Sequence, residues 1–159
     1  DLDDSAEQVN AFFHNQKGQF EDRSVAAGFD LLGASRALVT ADFNGDGMPD
    51  VAISGLDSTM RQVVRIYQSE GGCGPGVTVG FPDRGARDVG TKVEWSVGGE
   101  LFTRWYQPGT TYSVSGPTLH LGLGGYPAAD WVRVTPLGGS AEEHVNVPAG
   151  ARLDQRSYQ

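Results

Sequence analysis

The sequence predicts an almost all-β protein, and three observations support this. The 23 glycines and 8 prolines are spread at short intervals without a strict period, as in chains where short strands alternate with turns. Between them lie short runs rich in Val, Thr, Tyr and Trp, which favour strands. Several of these runs flank a glycine-containing turn, which is the pattern of a β-hairpin.

The first half of the chain contains a hairpin and then a series of short strands. Residues 1–8 are acidic and lack apolar anchors, so we expect an exposed loop there. The stretch VNAFFHNQKGQFEDRS is predicted as a hairpin turning at Gln16, Lys17 and Gly18. We expect a loop for VAAGFDLLGAS, because two glycines within six residues disfavour a helix. The runs RALVTADF, DVAISG, RQVVRIYQ and VTVGF are then four predicted strands.

We expect the glycine-rich stretch SEGGCGPG to be a loop at the boundary between two parts of the chain. Hairpin and strand patterns continue in the second half beyond it. The stretch TKVEWSVGGELFTRWY predicts a hairpin with Gly98 and Gly99 in the turn. Further strands are expected at TLHLGL, DWVRVTPL and EEHVNVP, with turn residues at intervals of about ten residues, as in a sandwich or barrel.

Charge and composition exclude several classes of function. The formal charge is −8 and the pI is about 4.7, whereas nucleic-acid binding needs clustered Lys and Arg. No apolar run approaches the roughly 20 residues that cross a bilayer, and no signal segment opens the chain. We therefore expect no nucleic-acid partner and no membrane span, in a soluble portion of a longer protein. Cys73 is the only cysteine, so no intrachain disulfide or cysteine-based metal cluster is possible.

The turn ADFNGDGMPDVAIS concentrates oxygen donors between two predicted strands. Asp42, Asn44, Asp46, Met48 and Asp50 occupy alternate positions, and alternate residues of such a loop point toward one centre. Ca²⁺ takes six to eight oxygen ligands from carboxylates, amides and backbone carbonyls. We therefore predict a calcium site in which Met48 contributes its carbonyl and Asp50 is the bidentate ligand.

The glycines of the same loop suit a chain that curls around an ion. Gly47 stands at the sixth position from Asp42, where a calcium loop needs a sharp bend with positive φ. Three carboxylates held together without a cation would repel one another, so calcium binding and local folding should be coupled. An EF-hand is excluded because Ile53 occupies the twelfth position, where that motif has a glutamate. The alternative is an ordinary turn that uses Asn, Asp and Gly for their geometry.

Other candidate sites carry less weight. His14, His120 and His144 lack the spacing of zinc ligands. The segment GGCGPG is expected to be a loop rather than a phosphate cradle, and Cys73 an incidental thiol. Neighbouring acids such as Glu142–Glu143 and Asp3–Asp4 point to opposite sides of a strand, so we expect them to be solvated. We expect most of the aromatic residues of the second half to be core, with one or two exposed together as an alternative sugar or peptide platform: Trp95, Trp105, Tyr106, Tyr112 and Trp131.

Several stretches of the sequence resemble two known families. ADFNGDGMPDVAIS resembles the calcium loop of FG-GAP/VCBS repeats, which are blades of integrin-α-like β-propellers, and VNAFFHNQKGQFEDRSVAAGF resembles the segment before such a loop. RGARDVGTKVEW, PTLHLGLGG and DWVRVTPLGG resemble the ASPIC/UnbV domain of cartilage-acidic-protein-like proteins. In that second resemblance, Leu121 stands where the family usually has Phe, and Thr135 where Trp is common.

These resemblances imply a specific architecture and function. Residues 1–81 would form about one and a half FG-GAP blades of a partial β-propeller, and residues 82–159 a small antiparallel β-sandwich or barrel-like domain. The expected function is a non-enzymatic, calcium-binding, secreted or extracellular module for adhesion, with an unidentified protein or carbohydrate partner. The metal's role would be structural, because no open coordination position is paired with a base. A blade cannot bury both faces alone, so the chain is part of a longer propeller protein, or copies associate to complete the blades, or the blade rests on the C-terminal domain. The alternative function is that of a self-assembling structural protein.

Overall fold

A computed structural model describes residues 8–70, 74–81, 88–110, 113–114 and 116–155. Within these ranges every regular element is a strand and there is no helix, which confirms the all-β prediction. Consequently, none of the described residues forms a helix long and apolar enough to span a bilayer. The expectations for residues 1–7, Cys73 and Tyr112 fall outside the described residues.

The first hairpin has the predicted turn. Strands β1 (Phe13–Gln16) and β2 (Gln19–Asp22) pair antiparallel, and Lys17 and Gly18 both have positive φ, as in the type I′ turns that match the twist of two strands. The Asn15 side chain accepts a hydrogen bond from the Gly18 amide at 2.8 Å. Residues 24–28 form a turn rather than a helix, but the loop predicted for VAAGFDLLGAS ends earlier than expected, because Gly33 to Ser35 already belong to the next strand.

The three strands around the acidic turn form a sheet of their own. They are β3 (Gly33–Ala41), β4 (Asp50–Asp57) and β5 (Gln62–Tyr67), with β4 in the centre. A Cβ on Gly55 would collide with the backbone carbonyl of Ala34, so the absence of a side chain there permits the close approach of β3 and β4. The predicted strands on both sides of the acidic turn are confirmed.

Strand β6 (Val77–Gly80) is the predicted strand VTVGF, but it does not extend the sheet of β3, β4 and β5. It lies between β11 (Thr118–Leu121), which is antiparallel to it, and β14 (Arg152–Asp154), which is parallel. Sequence alone had placed this strand before the expected boundary at residue 81. Strand β6 is therefore hydrogen-bonded to two strands from the second half of the chain.

A four-stranded antiparallel sheet contains the strongest hairpin predicted from the sequence. Its order is β13 (Glu142–Pro148), β12 (Ala128–Thr135), β7 (Lys92–Val97) and β8 (Glu100–Trp105). Strands β7 and β8 are joined at Gly98 and Gly99, as predicted. The short strands β9 (Gly109–Thr110) and β10 (Ser113–Val114) form a separate pair.

One hydrophobic core joins the apolar faces of the β6 and β12 sheets. Val77 and Val79 of β6, Val93 of β7 and Val132 of β12 are completely buried in it. Leu121 of β11 is also completely buried. The Trp95 indole stacks on Phe102 at 5.3 Å and donates to the Gly122 carbonyl at 3.2 Å. Two sheets with alternating inward residues form a sandwich-like domain, and the sheets described here include no closed barrel.

The chain separates into two compact units. The first contains residues 1–38 and 52–66, and the second contains residues 39–51 and 67–159. The acidic loop therefore belongs to the same unit as the hydrophobic core. The predicted division between residues 1–81 and 82–159 stays a prediction, because residues 82–87 lie outside the described ranges.

Candidate functional site: the acidic loop

The loop between β3 and β4 is organised by the side chain of Asp42. Its Oδ1 accepts hydrogen bonds from the amides of Gly45 (2.6 Å) and Asp46 (3.1 Å), and its Oδ2 accepts one from the Gly47 amide at 2.9 Å. A carboxylate has about four lone-pair sites, so one remains on Asp42. Asp42, the first predicted calcium ligand, thus organises the loop backbone through its hydrogen bonds and keeps one lone-pair site that can accept a further bond.

Asn44 and Asp46 form the middle of the loop and are exposed. The Asn44 Oδ1 accepts from the Asp46 amide at 3.0 Å, and its Nδ2 donates to Asp46 Oδ2 at 2.7 Å. Asp46 Oδ1 accepts from the Met48 amide at 2.8 Å. Both side chains therefore lie against the loop backbone, and each Asp46 oxygen has one acceptor site in use.

The backbone of the loop bends at its two glycines. Gly45 has φ of 79° and Gly47 has φ of 82°, values that L-residues with a side chain rarely adopt. The positive φ expected at Gly47 is confirmed. Gly47 has a second constraint, because a Cβ there would lie 2.7 Å from the Cβ of Pro75.

Asp50 differs from the other predicted ligands because it is completely buried, with 0% exposure. Its Oδ2 accepts from the Phe43 amide and its Oδ1 from the Ser69 amide, both at 2.9 Å. A buried carboxylate is tolerated only when such partners compensate for its lost hydration. Asp50 thus connects the start of the loop to residue 69, a contact that no sequence pattern predicts.

Further contacts attach the loop to the segment that enters β6. The Ser69 hydroxyl donates to the Pro49 carbonyl at 2.5 Å, and the Gly76 amide donates to the Gly47 carbonyl at 3.2 Å. Each contact joins the nine-residue loop to a residue distant in sequence but in the same compact unit. The loop is therefore attached to this segment at two points, Pro49 and Gly47.

The donors in the loop match the chemistry of calcium, but they are not gathered around one point. All five predicted ligands offer oxygen atoms, the type that hard cations prefer, and Asp42, Asn44, Asp46 and Asp50 each retain an unused acceptor site by the hydrogen bonds above. Among the described residues, however, no three His, Cys, Asp or Glu side chains converge closely enough to hold a metal ion. The loop carboxylates bond instead to backbone amides, those of the loop itself and that of Ser69.

The three histidines are placed differently from one another. His14 is exposed on β1 and the His144 side chain lies 3.4 Å from Glu142 on β13. His120 is half-buried. Burial lowers its pKa below the usual range of an imidazole, Arg104 acts in the same direction, and Asp42 opposes both. His120, Arg104 and Asp42 line the same cleft, an arrangement that no sequence motif signals.

The remaining candidates resolve into surface and core residues. Glu143 pairs with Arg133 at 2.6 Å on an exposed surface, and Glu142 is also exposed. Trp95 and Tyr106 are buried, whereas Trp105 is 56% exposed. Trp131 is partly exposed and lies beneath the Arg133 guanidinium, 5.0 Å from its centroid.

One family model matches a region in the second half of the chain. Residues 83–156 match the family model described as ASPIC and UnbV, which confirms that part of the resemblance. The matched residues include all strands from β7 to β14, while β6 precedes them and still pairs with two of their strands. The FG-GAP resemblance of the first half stays a prediction. The chain matches no curated protein.

Proposed function

We propose that this chain is a non-enzymatic, calcium-binding extracellular module for adhesion or protein interaction, in which Ca²⁺ stabilises the loop from Asp42 to Asp50. The observation that supports the proposal is the loop itself: five oxygen-donor positions alternate within nine residues, and both intervening glycines have positive φ. An ordinary turn needs about two such residues.

Calcium would act here as a structural element. Metal sites are seldom fully formed without the ion, so binding and local ordering are coupled. Because the loop bonds to Ser69 and Gly76, ordering it would also strengthen its attachment to the segment that enters β6. A ligand that binds only the folded state adds about 1.4 kcal/mol for each tenfold excess over its Kd. Millimolar extracellular calcium would fill even a weak site, which favours a secreted location.

The proposal is tested by thermal unfolding in calcium and in EDTA, comparing the unaltered chain with Asp46→Ala. Asp46 is exposed, so its removal should change stability little in EDTA and remove most of the calcium-dependent stabilisation. Glu100→Ala is the matched control, since it removes one exposed negative charge from the β7–β8 turn. Equal melting temperatures in calcium and EDTA for the unaltered chain would contradict the proposal.

Self-assembly through the first unit is a second candidate function, supported by exposed apolar residues on β5. Val64 and Ile66 alternate along this edge strand and are 69% and 61% exposed. Edge strands with apolar faces favour pairing with another chain. Sedimentation should show association that is lost in a Val64→Glu, Ile66→Glu variant and kept in Gln62→Glu. A monomer at high concentration would contradict this second proposal.

A further inference from the structure

A cleft of about 870 Å³ lies beside the acidic loop, entirely within the second compact unit. One wall is formed by the segment from Thr40 to Pro49. The other includes Thr78, Thr118, His120 and Arg152. Its volume is within the range of clefts that hold small ligands. The calcium proposal makes no use of this wall.

The register of the β6 sheet explains how that wall is built. Thr78 pairs with His120 of β11 on one side and with Arg152 of β14 on the other, so these three side chains form a row across neighbouring strands about 4.8 Å apart. The alternate residues Val77 and Val79 point into the core. The sheet therefore has an apolar inner face and an outer face that offers hydroxyl, imidazole and guanidinium groups.

Two glycines make room for the larger side chains of this row. A Cβ on Gly76 would lie 2.5 Å from Cε1 and Nε2 of His120, and one on Gly80 would lie 2.7 Å from an Arg152 guanidinium nitrogen. The His120 imidazole and the Arg152 guanidinium thus pack directly against the backbone of these two glycines. Arg152 is held there by Asp154, whose Oδ1 accepts from its Nε at 2.8 Å. These contacts fix the shape of the wall before any ligand arrives.

Arg104 supplies the cationic group at the cleft that is free of a carboxylate partner. It lines the cleft, and its Nη1 donates only a long hydrogen bond, 3.4 Å, to the His120 carbonyl. Its side chain forms no salt bridge within the described part of the chain. A guanidinium group presents five donors in a planar fork suited to a carboxylate, so most of this donor capacity is available.

We propose that this cleft binds a carboxylated oligosaccharide, with Arg104 receiving the carboxylate and Thr78 and Thr118 receiving sugar hydroxyls. Thr78 and Thr118 can each donate and accept, as can Gln107 at the same cleft, which suits a ligand whose hydroxyls do both. Pro49, Pro117 and Leu123 add apolar surface for the C–H faces of sugar rings. This site goes beyond the proposed function, since none of these groups is a predicted calcium ligand.

The geometry favours a saccharide over an acidic peptide. Extended peptides are commonly recognised through main-chain hydrogen bonds at the edge of a sheet, whereas this cleft presents the face of one, where only side chains are available. Asp42 also lines the cleft, and its charge disfavours a ligand with many closely spaced carboxylates. A single carboxylate opposite Arg104, within a hydroxyl-rich ligand, satisfies both conditions.

Titration calorimetry with sialyllactose, which carries one carboxylate, with neutral lactose and with triglutamate tests the proposal, in EDTA and again in calcium. We expect sialyllactose to bind in both conditions, at least about tenfold more tightly than either other probe, since a hydrogen bond to a charged group contributes that much. Arg104→Gln should weaken this binding by about tenfold or more. Arg36→Gln, an equal change of charge on β3 outside the cleft, should leave it unchanged.

Several outcomes would overturn the cleft proposal. These are the absence of sialyllactose binding in both conditions, binding that Arg104→Gln does not weaken, and tighter binding of triglutamate. Melting curves of the variants confirm that each is folded, and Thr78→Val provides an independent change on the cleft face of the β6 sheet, expected to weaken binding without removing a charge. Saccharide binding in a chain whose stability does not respond to calcium would contradict only the calcium proposal.

Discussion

Replacing Asp50 by asparagine tests the most unusual feature of the loop, a completely buried carboxylate bonded to two backbone amides. Each oxygen accepts from one amide, Phe43 at Oδ2 and Ser69 at Oδ1. An asparagine has one oxygen acceptor, so its NH₂ group would face one of the two amide donors. The substitution changes the side-chain volume very little, and its effect is therefore electrostatic.

The expected cost can be worked out from these two bonds. Losing one hydrogen bond to a charged acceptor costs about 1.5–3 kcal/mol, and a buried donor left without a partner costs about 1–3 kcal/mol. The two contributions overlap, so we expect a loss of about 3–5 kcal/mol in the free energy of unfolding. Asp46→Asn is the control. Its side chain is exposed and bonds only within the loop, so we expect a loss below about 1 kcal/mol.

Urea unfolding in EDTA, followed by tryptophan fluorescence, measures both variants without any contribution from metal. All three tryptophans, Trp95, Trp105 and Trp131, lie in the unit that contains Asp50. Hydrogen exchange adds a local measurement, because the Phe43 and Ser69 amides should exchange faster in Asp50→Asn. Equal unfolding free energies for the two variants, with unchanged exchange at these amides, would refute the structural role of Asp50.

Three other predictions concern backbone geometry and pH. Gly47→Ala should destabilise the chain more than Gly45→Ala: both strain a positive φ at about 1 kcal/mol, but only the first meets Pro75, and paired urea titrations measure the difference. Gly55→Ala should cost about 1–3 kcal/mol, since its Cβ meets a carbonyl of β3; an unchanged unfolding midpoint would contradict this packing. The hydroxyl of Thr59 and the amide of Arg61 lower the pKa of Asp57 below 3.8. The ionised Asp57 side chain therefore stabilises the folded state fully above that pH, and this stabilisation is lost as the pH falls through the lowered pKa. Asp57→Asn should show a shallower acid loss of stability, and an identical acid profile would count against the contribution.

Sequence reasoning succeeded where the pattern is local. The hairpin at Gly98 and Gly99 follows from alternating residues around two glycines, and the positive φ of Gly47 follows from its position in an Asp- and Asn-rich turn. Both depend on residues within a few positions of each other, where steric rules leave few alternatives. The second-half resemblance was equally accessible, since its motifs lie along continuous stretches.

The features that sequence missed depend on contacts between distant residues. Nothing in VTVGF reveals that β6 pairs with β14, about seventy residues later, because parallel pairing leaves no turn signature. The bond from Ser69 to Asp50 and the location of Arg104 beside His120 likewise follow from tertiary packing. The sequence predicted Asp50 only as a calcium ligand, whereas in the structure it is also a buried residue that connects Phe43 to Ser69.

The most direct test of the calcium account is a calcium titration of the isotope-labelled chain, followed by NMR of its backbone amides. The account predicts saturable shifts at one site, largest for Gly45, Asp46 and Gly47 and extending to Ser69 and Gly76, whose amides bond to the loop. Asp46→Ala should remove these shifts and Glu100→Ala should keep them. Unshifted loop amides at millimolar calcium would contradict the central claim.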